Sequence, residues 1–262
     1  MKTVIFCGGQ GMRLKNMNSF VPKAMIKIAG KPILWHVMKI FAKYGHKDFV
    51  LALGSEGESI RDYFFNYNRN TNDVILDLKN SNQEASFLTS NQENDWKITF
   101  VDTGESAGTG ARLYRCKKYL NDGDFFATYA DCLSNLDLNK LLDFHKNHNV
   151  AATVTGVFPP FRYGEFVLKN DIPISYSPIS KLNSLAGVVN GGFMVLRQNI
   201  FDYLTTFDEC SIESNNSVFE KLSTNGQLKI YHHDGFWQCL DNDREYEFLN
   251  DLCKKNLTTW LV

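Results

Sequence analysis

The stretch FCGGQGMRL, residues 6 to 14, ends an apolar run on three glycines and an arginine. Gly8, Gly9 and Gly11 can take positive φ and let a ligand approach the backbone, where exposed N–H groups bind phosphate oxygens. Arg13 follows the loop and Lys23 sits in VPKAM, so two cations stand ready to flank a triphosphate. The loop is not a Walker A motif, because no Gly-Lys-Ser/Thr follows. Nor is it a dinucleotide fingerprint, because Leu14 stands where the last glycine belongs. Two carboxylates complete the set: Asp131 closes the apolar stretch FFATYAD, and Asp241 lies in GFWQCLDNDREY. Each has two readings, a cap for the next element or one of a pair that holds Mg²⁺ together with substrate phosphates. Spacing alone leaves both open.

Other chemistries find less support. His145 with His148, and His232 with His233, have no cysteine or carboxylate at zinc-site spacing and read as solvated or structural histidines. No Gly-x-Ser-x-Gly elbow occurs, and Cys132 has no identifiable partner base, so a protein nucleophile is not expected. With 28 basic and 29 acidic residues the formal charge is −1, which offers no field for nucleic acid or an anionic membrane. The six cysteines show no Cys-x-x-Cys pair and are expected as free thiols in a reducing compartment. The first apolar run is too short for a secretion signal and no stretch approaches a membrane span, so the cytoplasm is the expected address.

These residues need elements to carry them. TVIFC (3 to 7), DFVLALG (48 to 54), WKITFVDTG (96 to 104) and DFFATYADCL (124 to 133) read as strands. KPILWHVMKIFAKYG (31 to 45), ESIRDYFFNYN (58 to 68) and ARLYRCKKYL (111 to 120) have helical spacing. A further helix is expected from 137, strands at 151 to 158, 165 to 168 and 190 to 196, and a closing helix at 243 to 256. The alternation predicts an α/β, Rossmann-like mixed sheet, mostly parallel and flanked by helices, in a single domain over 1–262. An Asn-rich insertion at about 66–95 is expected to form loops around a short strand or hairpin. In such sheets ligands bind beyond the carboxyl ends of the strands, where the glycine loop, Asp131 and the Asp102–Gly104 turn all lie. The aromatic-rich RDYFFNYN and the terminal TTWLV offer surfaces for a homo-oligomer.

The chain resembles the sugar-nucleotide pyrophosphorylases, and among them the glucose-1-phosphate cytidylyltransferase branch. CGGQGMRL is similar to the family's Gly-Gly-x-Gly-x-Arg-Leu signature, VPKAM carries its lysine, and VDTGESAGTGARL is the most specific match; GKPILWHVMKI, PPFRYG, VNGGFMVL and GFWQCLD extend the likeness over nearly the whole chain. The resemblance implies a nucleotidyltransferase type A fold. Gly8, Gly9, Gly11 and Arg13 would wrap the triphosphate of CTP, with Lys23 on the α-phosphate. Gly110 and Arg112 would border the cytidine, and Asp131 and Asp241 would hold Mg²⁺. It also implies an acceptor subsite at Lys181, with Ser180, Arg162 and Asn190 beside it. An acceptor phosphate oxygen would attack the α-phosphorus in line and release pyrophosphate, with no covalent enzyme intermediate.

The chain departs from the family at three places. Ser180-Lys181-Leu182 stands on the family's Glu-Lys-Pro, Val188 replaces a tryptophan, and Ala130-Asp131-Cys132 replaces Gly-Asp-Gly. Losing the glutamate removes roughly 1.5 to 3 kcal/mol of charge-assisted hydrogen bonding to a sugar hydroxyl. This pattern resembles capsule-pathway cytidylyltransferases that charge L-glutamine phosphate, giving CDP-L-glutamine for a phosphoramidate modification. The alternatives are a sugar-1-phosphate cytidylyltransferase whose pocket compensates through Arg162 or Glu165, and a non-catalytic nucleotide-binding regulator.

Overall fold

Apolar runs bounded by turn residues form the central strands. Val4 and Ile5 are both fully buried although they point to opposite faces of the sheet, as expected where helices cover both sides. The computed structural model describes residues 1–8, 21–77, 85–121, 123–158, 165–169, 172–177, 188–214 and 217–261, with the backbone alone for 165–169 and 172–177. In chain order the strands that matter here are β1 (Lys2–Phe6), β2 (Asp48–Leu53), β3 (Lys97–Asp102), β4 (Phe125–Tyr129), β5 (Cys132–Ser134), β6 (Ala152–Val157), β7 (Val189–Leu196), β8 (Leu228–His233) and β9 (Trp237–Cys239). Seven form one sheet in the order β8-β6-β7-β4-β1-β2-β3. Neighbours run parallel except β7, which is antiparallel to both β4 and β6. The expected mixed, mostly parallel α/β sheet is the one observed.

The helices are α1 (Ile33–Lys43), α2 (Gly57–Phe65), α3 (Thr109–Arg115), α4 (Leu138–Lys146), α5 (Val218–Thr224) and α6 (Asp243–Lys254). On one face of the sheet Ile5, Leu51, Phe126 and Val195 pack under Leu34, Val37 and Phe41 of α1; on the other, Val4, Val50, Ala127 and Met194 meet Leu113 of α3 and Leu222 of α5. Each such large apolar side chain contributes about 1.5 to 3 kcal/mol by leaving water. Helix α1 begins directly after Pro32 and ends before Gly45, whose φ of 81° is the left-handed stop that glycine supplies most easily.

Two expectations are corrected. The stretch 124–133 is not one strand: β4 stops at Tyr129, the chain turns at Ala130 and Asp131, and β5 leaves the main sheet to pair antiparallel with β9. Both segments are buried, so the apolar pattern runs on through the turn without marking it. The cysteines are not all free: Cys132 and Cys239, directly opposed in the β5/β9 pair, form a disulfide, while Cys7, Cys116, Cys210 and Cys253 remain thiols. Neither spacing rule nor composition signals a pair separated by 107 residues.

The insertion contains a short helix, Tyr67–Thr71, and an antiparallel hairpin, Val74–Leu76 with Ala85–Phe87. Ile75, Leu76 and Phe87 are exposed there, as is Phe65 at the end of α2 just before it. Trp260 of the terminal segment is instead buried in its own chain, stacked on Phe236 and donating Nε1–H to His36 Nδ1 at 3.3 Å.

Candidate active site

Strands β1 to β4 are mutually parallel, so their carboxyl ends share one rim. A cavity of about 310 Å³ opens there, lined among others by Gly8, Lys23, Gly108, Arg112, Tyr129 and Asp131. A second cavity of about 390 Å³ lies at the opposite rim beside Lys2, Lys47 and Lys97. Its lysines are engaged: Lys47 pairs with Asp95, Lys97 lies 3.7 Å from Asp48, and Lys2 donates to the Tyr119 carbonyl at 2.8 Å. Ligands of parallel sheets gather at the carboxyl ends, so we place the site at the first cavity.

The centre of that site is a clasp. Lys23, on a single 3₁₀ turn that follows Pro22, brings its Nζ to 2.5 Å from Asp131 Oδ2 and 2.5 Å from Asp241 Oδ1. One positive charge thus sits between two carboxylates supplied by residues 110 positions apart in the chain. Burial works against the ammonium, but the charge and hydrogen bonds of Asp131 and then of Asp241 outweigh it and raise the Lys23 pKa above its ordinary value. The capping alternatives fall away. Asn242 caps α6 by accepting from Glu245 N at 3.1 Å, and Asp137 caps α4. Glu245 reaches back to Asp241 N at 2.5 Å, so α6 holds the Asp241 backbone while leaving its side chain to the clasp. Two hard oxygen donors converging on one charge suit a divalent cation bound by carboxylates and substrate phosphates.

Arg112 is almost wholly buried. Its terminal nitrogens donate to Leu53 O at 3.0 Å, Thr103 Oγ1 at 2.7 Å, Gly104 O at 2.8 Å, Gly8 O at 3.0 Å and Glu105 O at 3.1 Å. The guanidinium therefore ties together the ends of β1, β2 and β3 while one side of it lines the cavity. Burial and the nearby Arg115 lower its pKa. Glycine at 8 follows from this packing, since a Cβ there would lie 2.2 Å from Arg112 Cζ. Gly110 lies against the chain at Cys210, and a Cβ on it would lie 2.6 Å from Cys210 Sγ.

Asn190, at the start of β7, accepts from Gly192 N at 2.9 Å and donates through Nδ2 to Glu213. Beside this pair lies the buried Tyr129 hydroxyl; burial, and then the Glu213 carboxylate, push its pKa well up. Glu213 and Tyr129 carry no sequence signal that would have picked them out: one is an exposed acid in a polar loop, the other an aromatic on a buried strand. Val188 packs on Gly156, where a Cβ would come within 2.7 Å of Val188 Cγ2. Gly9, Gly11, Arg13, Arg162, Ser180 and Lys181 lie outside the described residues.

A cavity at the carboxyl rim of a mostly parallel sheet, with Gly8, Lys23 and Asp131 among its lining, is the arrangement of an α/β ligand-binding protein. The chain belongs to the Nucleotidyl transferase family, whose model matches residues 2–169. It is 36% identical to the probable glucose-1-phosphate cytidylyltransferase of Bacillus subtilis strain 168, with all of both chains covered. It is also 36% identical to the glucose-1-phosphate cytidylyltransferase of Salmonella typhimurium, covering 99% of this chain and 98% of that protein. Among solved structures, a putative glucose-1-phosphate thymidylyltransferase from Bacillus anthracis superposes with a TM-score of 0.68 at 15% identity, over 97% of this chain and 95% of that one, a likeness of fold. The protein is a nucleotidyltransferase enzyme. No helix among the described residues is long and apolar enough to cross a membrane.

Proposed function

We propose that this enzyme transfers CMP from CTP to the phosphate of a small phosphorylated acceptor, releasing pyrophosphate, and that the acceptor is a sugar 1-phosphate. The observation that carries the reading is the Lys23–Asp131–Asp241 clasp at the carboxyl rim. Its support is the full-length similarity to two proteins named as glucose-1-phosphate cytidylyltransferases. Asp131 and Asp241 would hold Mg²⁺, which when bound neutralises phosphate charge and orients the α-phosphate. Lys23 supplies a cation beside that phosphate, and Arg112 fixes the Gly8 carbonyl at the edge of the cavity. A phosphate monoester has its second pKa near about 6, so the acceptor arrives largely dianionic and no protein base is needed. The site accordingly offers charge and position rather than a nucleophile. Soluble CTP and sugar phosphates are cytoplasmic metabolites, and we place the enzyme there.

A second acceptor, L-glutamine phosphate, is favoured by one observation: Ser180 stands where the resemblance has a hydroxyl-binding glutamate. One experiment decides. Pyrophosphate release is followed with CTP and Mg²⁺ against glucose 1-phosphate, other sugar 1-phosphates and L-glutamine phosphate, with Asp131→Asn as control. The expected result is turnover with a sugar 1-phosphate, reduced at least about 100-fold in the variant. Preference for L-glutamine phosphate installs the second acceptor. Unchanged turnover in Asp131→Asn removes the clasp from catalysis.

A further inference from the structure

Cys132 and Cys239 face one another across β5 and β9, their Cα atoms 4.2 Å apart and their sulfurs joined. Cys132 directly follows Asp131, and Cys239 stands two residues before Asp241. Each half of the disulfide therefore sits on a segment that delivers one carboxylate of the clasp. We propose that Cys132–Cys239 is a reversible redox modification site whose state sets how tightly the Asp131–Asp241 clasp holds a divalent cation, with the disulfide the tighter form. The inference rests on the reading of the clasp as a cation site.

Three features carry it. The Asp131 oxygen and the two sulfurs lie within 4.8 Å of one another, so a change at sulfur is felt at the carboxylate. Cys132 is 4% exposed while Cys239 is partly exposed, which makes Cys239 the half of the pair open to attack by an external thiolate in this proposal. Attack there forms a mixed disulfide on Cys239, breaks the bond to Cys132, and leaves the Cys132 sulfur with the electron pair and a proton from water. A second external thiol then releases Cys239. Two external thiols are oxidised to one disulfide, and two electrons and two protons pass to the cysteine pair. A low-molecular-weight disulfide such as oxidised glutathione runs the exchange backwards.

The third feature gives the direction. Cys132 Sγ lies 3.3 Å from Asp131 Oδ1. In the disulfide that sulfur has no hydrogen, and the carboxylate oxygen keeps its lone pairs for a cation. In the dithiol the S–H can donate to Oδ1 without moving, which occupies one of those lone pairs. Reduction also removes the covalent tie between two three-residue strands, leaving backbone bonds such as Leu240 N to Asp131 O at 3.0 Å to hold the carboxylates in register. In a reducing compartment, disulfides that form are typically transient or redox-sensing, which suits a pair placed on active-site segments.

The test has two readouts besides turnover. Thiols are counted after denaturing protein equilibrated in glutathione buffers of graded poise. Manganese binding without nucleotide is then measured by electron paramagnetic resonance on the folded oxidised protein, the reduced protein and Cys239→Ser. We expect reversible passage between four and six titratable thiols, the four being the cysteines outside the pair. Manganese should bind about tenfold more weakly to the reduced protein, the size of a modest hydrogen bond to a charged group. Cys239→Ser should match the reduced form in every buffer, and Cys132→Ala/Cys239→Ala, which has no S–H, should fall between the two states. Equal binding by both redox states, or a pair that stays in one state across all buffers, overturns the proposal and leaves the cation reading intact. No binding by either state overturns both.

Discussion

Lys23 gives one ammonium to two carboxylates, and this predicts opposite effects on binding and on turnover. In Lys23→Met, Asp131 and Asp241 face each other with no counter-charge, a repulsion that a divalent cation relieves. Manganese binding to the nucleotide-free variant should tighten by about tenfold, equivalent to about 1.4 kcal/mol, while pyrophosphate release falls. Unchanged manganese affinity would mean that the ammonium does not compete for the clasp. The lysine and both aspartates were legible from the sequence as a glycine-loop cation and two strand-end acids. Spacing alone left their convergence open, because capping explained each aspartate equally well, and only the family resemblance brought the two together; in the structure Asn242 and Asp137 do the capping. Glu213 and the Cys132–Cys239 pair were illegible for a simpler reason: each acts through a partner distant in the chain, and local periodicity carries no information about such contacts.

At the scale of elements, the rim depends on a side chain that satisfies main-chain oxygens from three strands. A lysine at 112 keeps the charge but has neither the planar fork nor the reach to meet carbonyls of Gly8, Leu53, Gly104 and Glu105 together. Leu53 O keeps Thr103 N as a donor, but Gly8 O, Gly104 O and Glu105 O lose theirs, so Arg112→Lys should lower stability by about 1 to 2 kcal/mol and raise the KM for CTP as Gly8 is released at the cavity edge. Chemical denaturation and initial rates check the two parts, and a variant of unchanged stability would show that the carbonyls find other donors. Alternating strands and helices placed these elements correctly because burial on both faces makes long apolar runs. The same burial hid the turn at Ala130 and Asp131, where the run continues while the chain changes sheets. In the motif at 108–112, Gly108, Thr109 and Arg112 line the cavity, and the small residues at 108 and 110 also let the chain at Cys210 pack on the start of α3.

For the whole molecule, a mostly parallel sheet covered on both sides has consequences for its response to acid. Its cores hold histidines as neutral groups. Burial lowers the pKa of His145 to about 4, with Arg197 and His148 adding to the effect and Asp124 opposing it. Burial and the chain's N-terminal ammonium bring His46 to about 4, and burial also lowers His36 and His233. A histidine in the unfolded chain takes up its proton near the ordinary value of 6.5, whereas His145 in the folded protein does so only near 4. Between those two values the unfolded state binds more protons, so stability is intact above pH 6.5 and declines as pH falls through the window. For His145 alone the loss by pH 5 is on the order of 2 kcal/mol. Urea unfolding at pH 7 and pH 5 should show a clear fall in midpoint for the native chain. His145→Asn starts lower at pH 7, because it loses the contact with Thr153 Oγ1 at 2.8 Å, but it should fall by less between the two pH values. An equal fall in both proteins would assign the acid sensitivity to the remaining histidines or to the carboxylates, and would free β6 and α4 of any part in it.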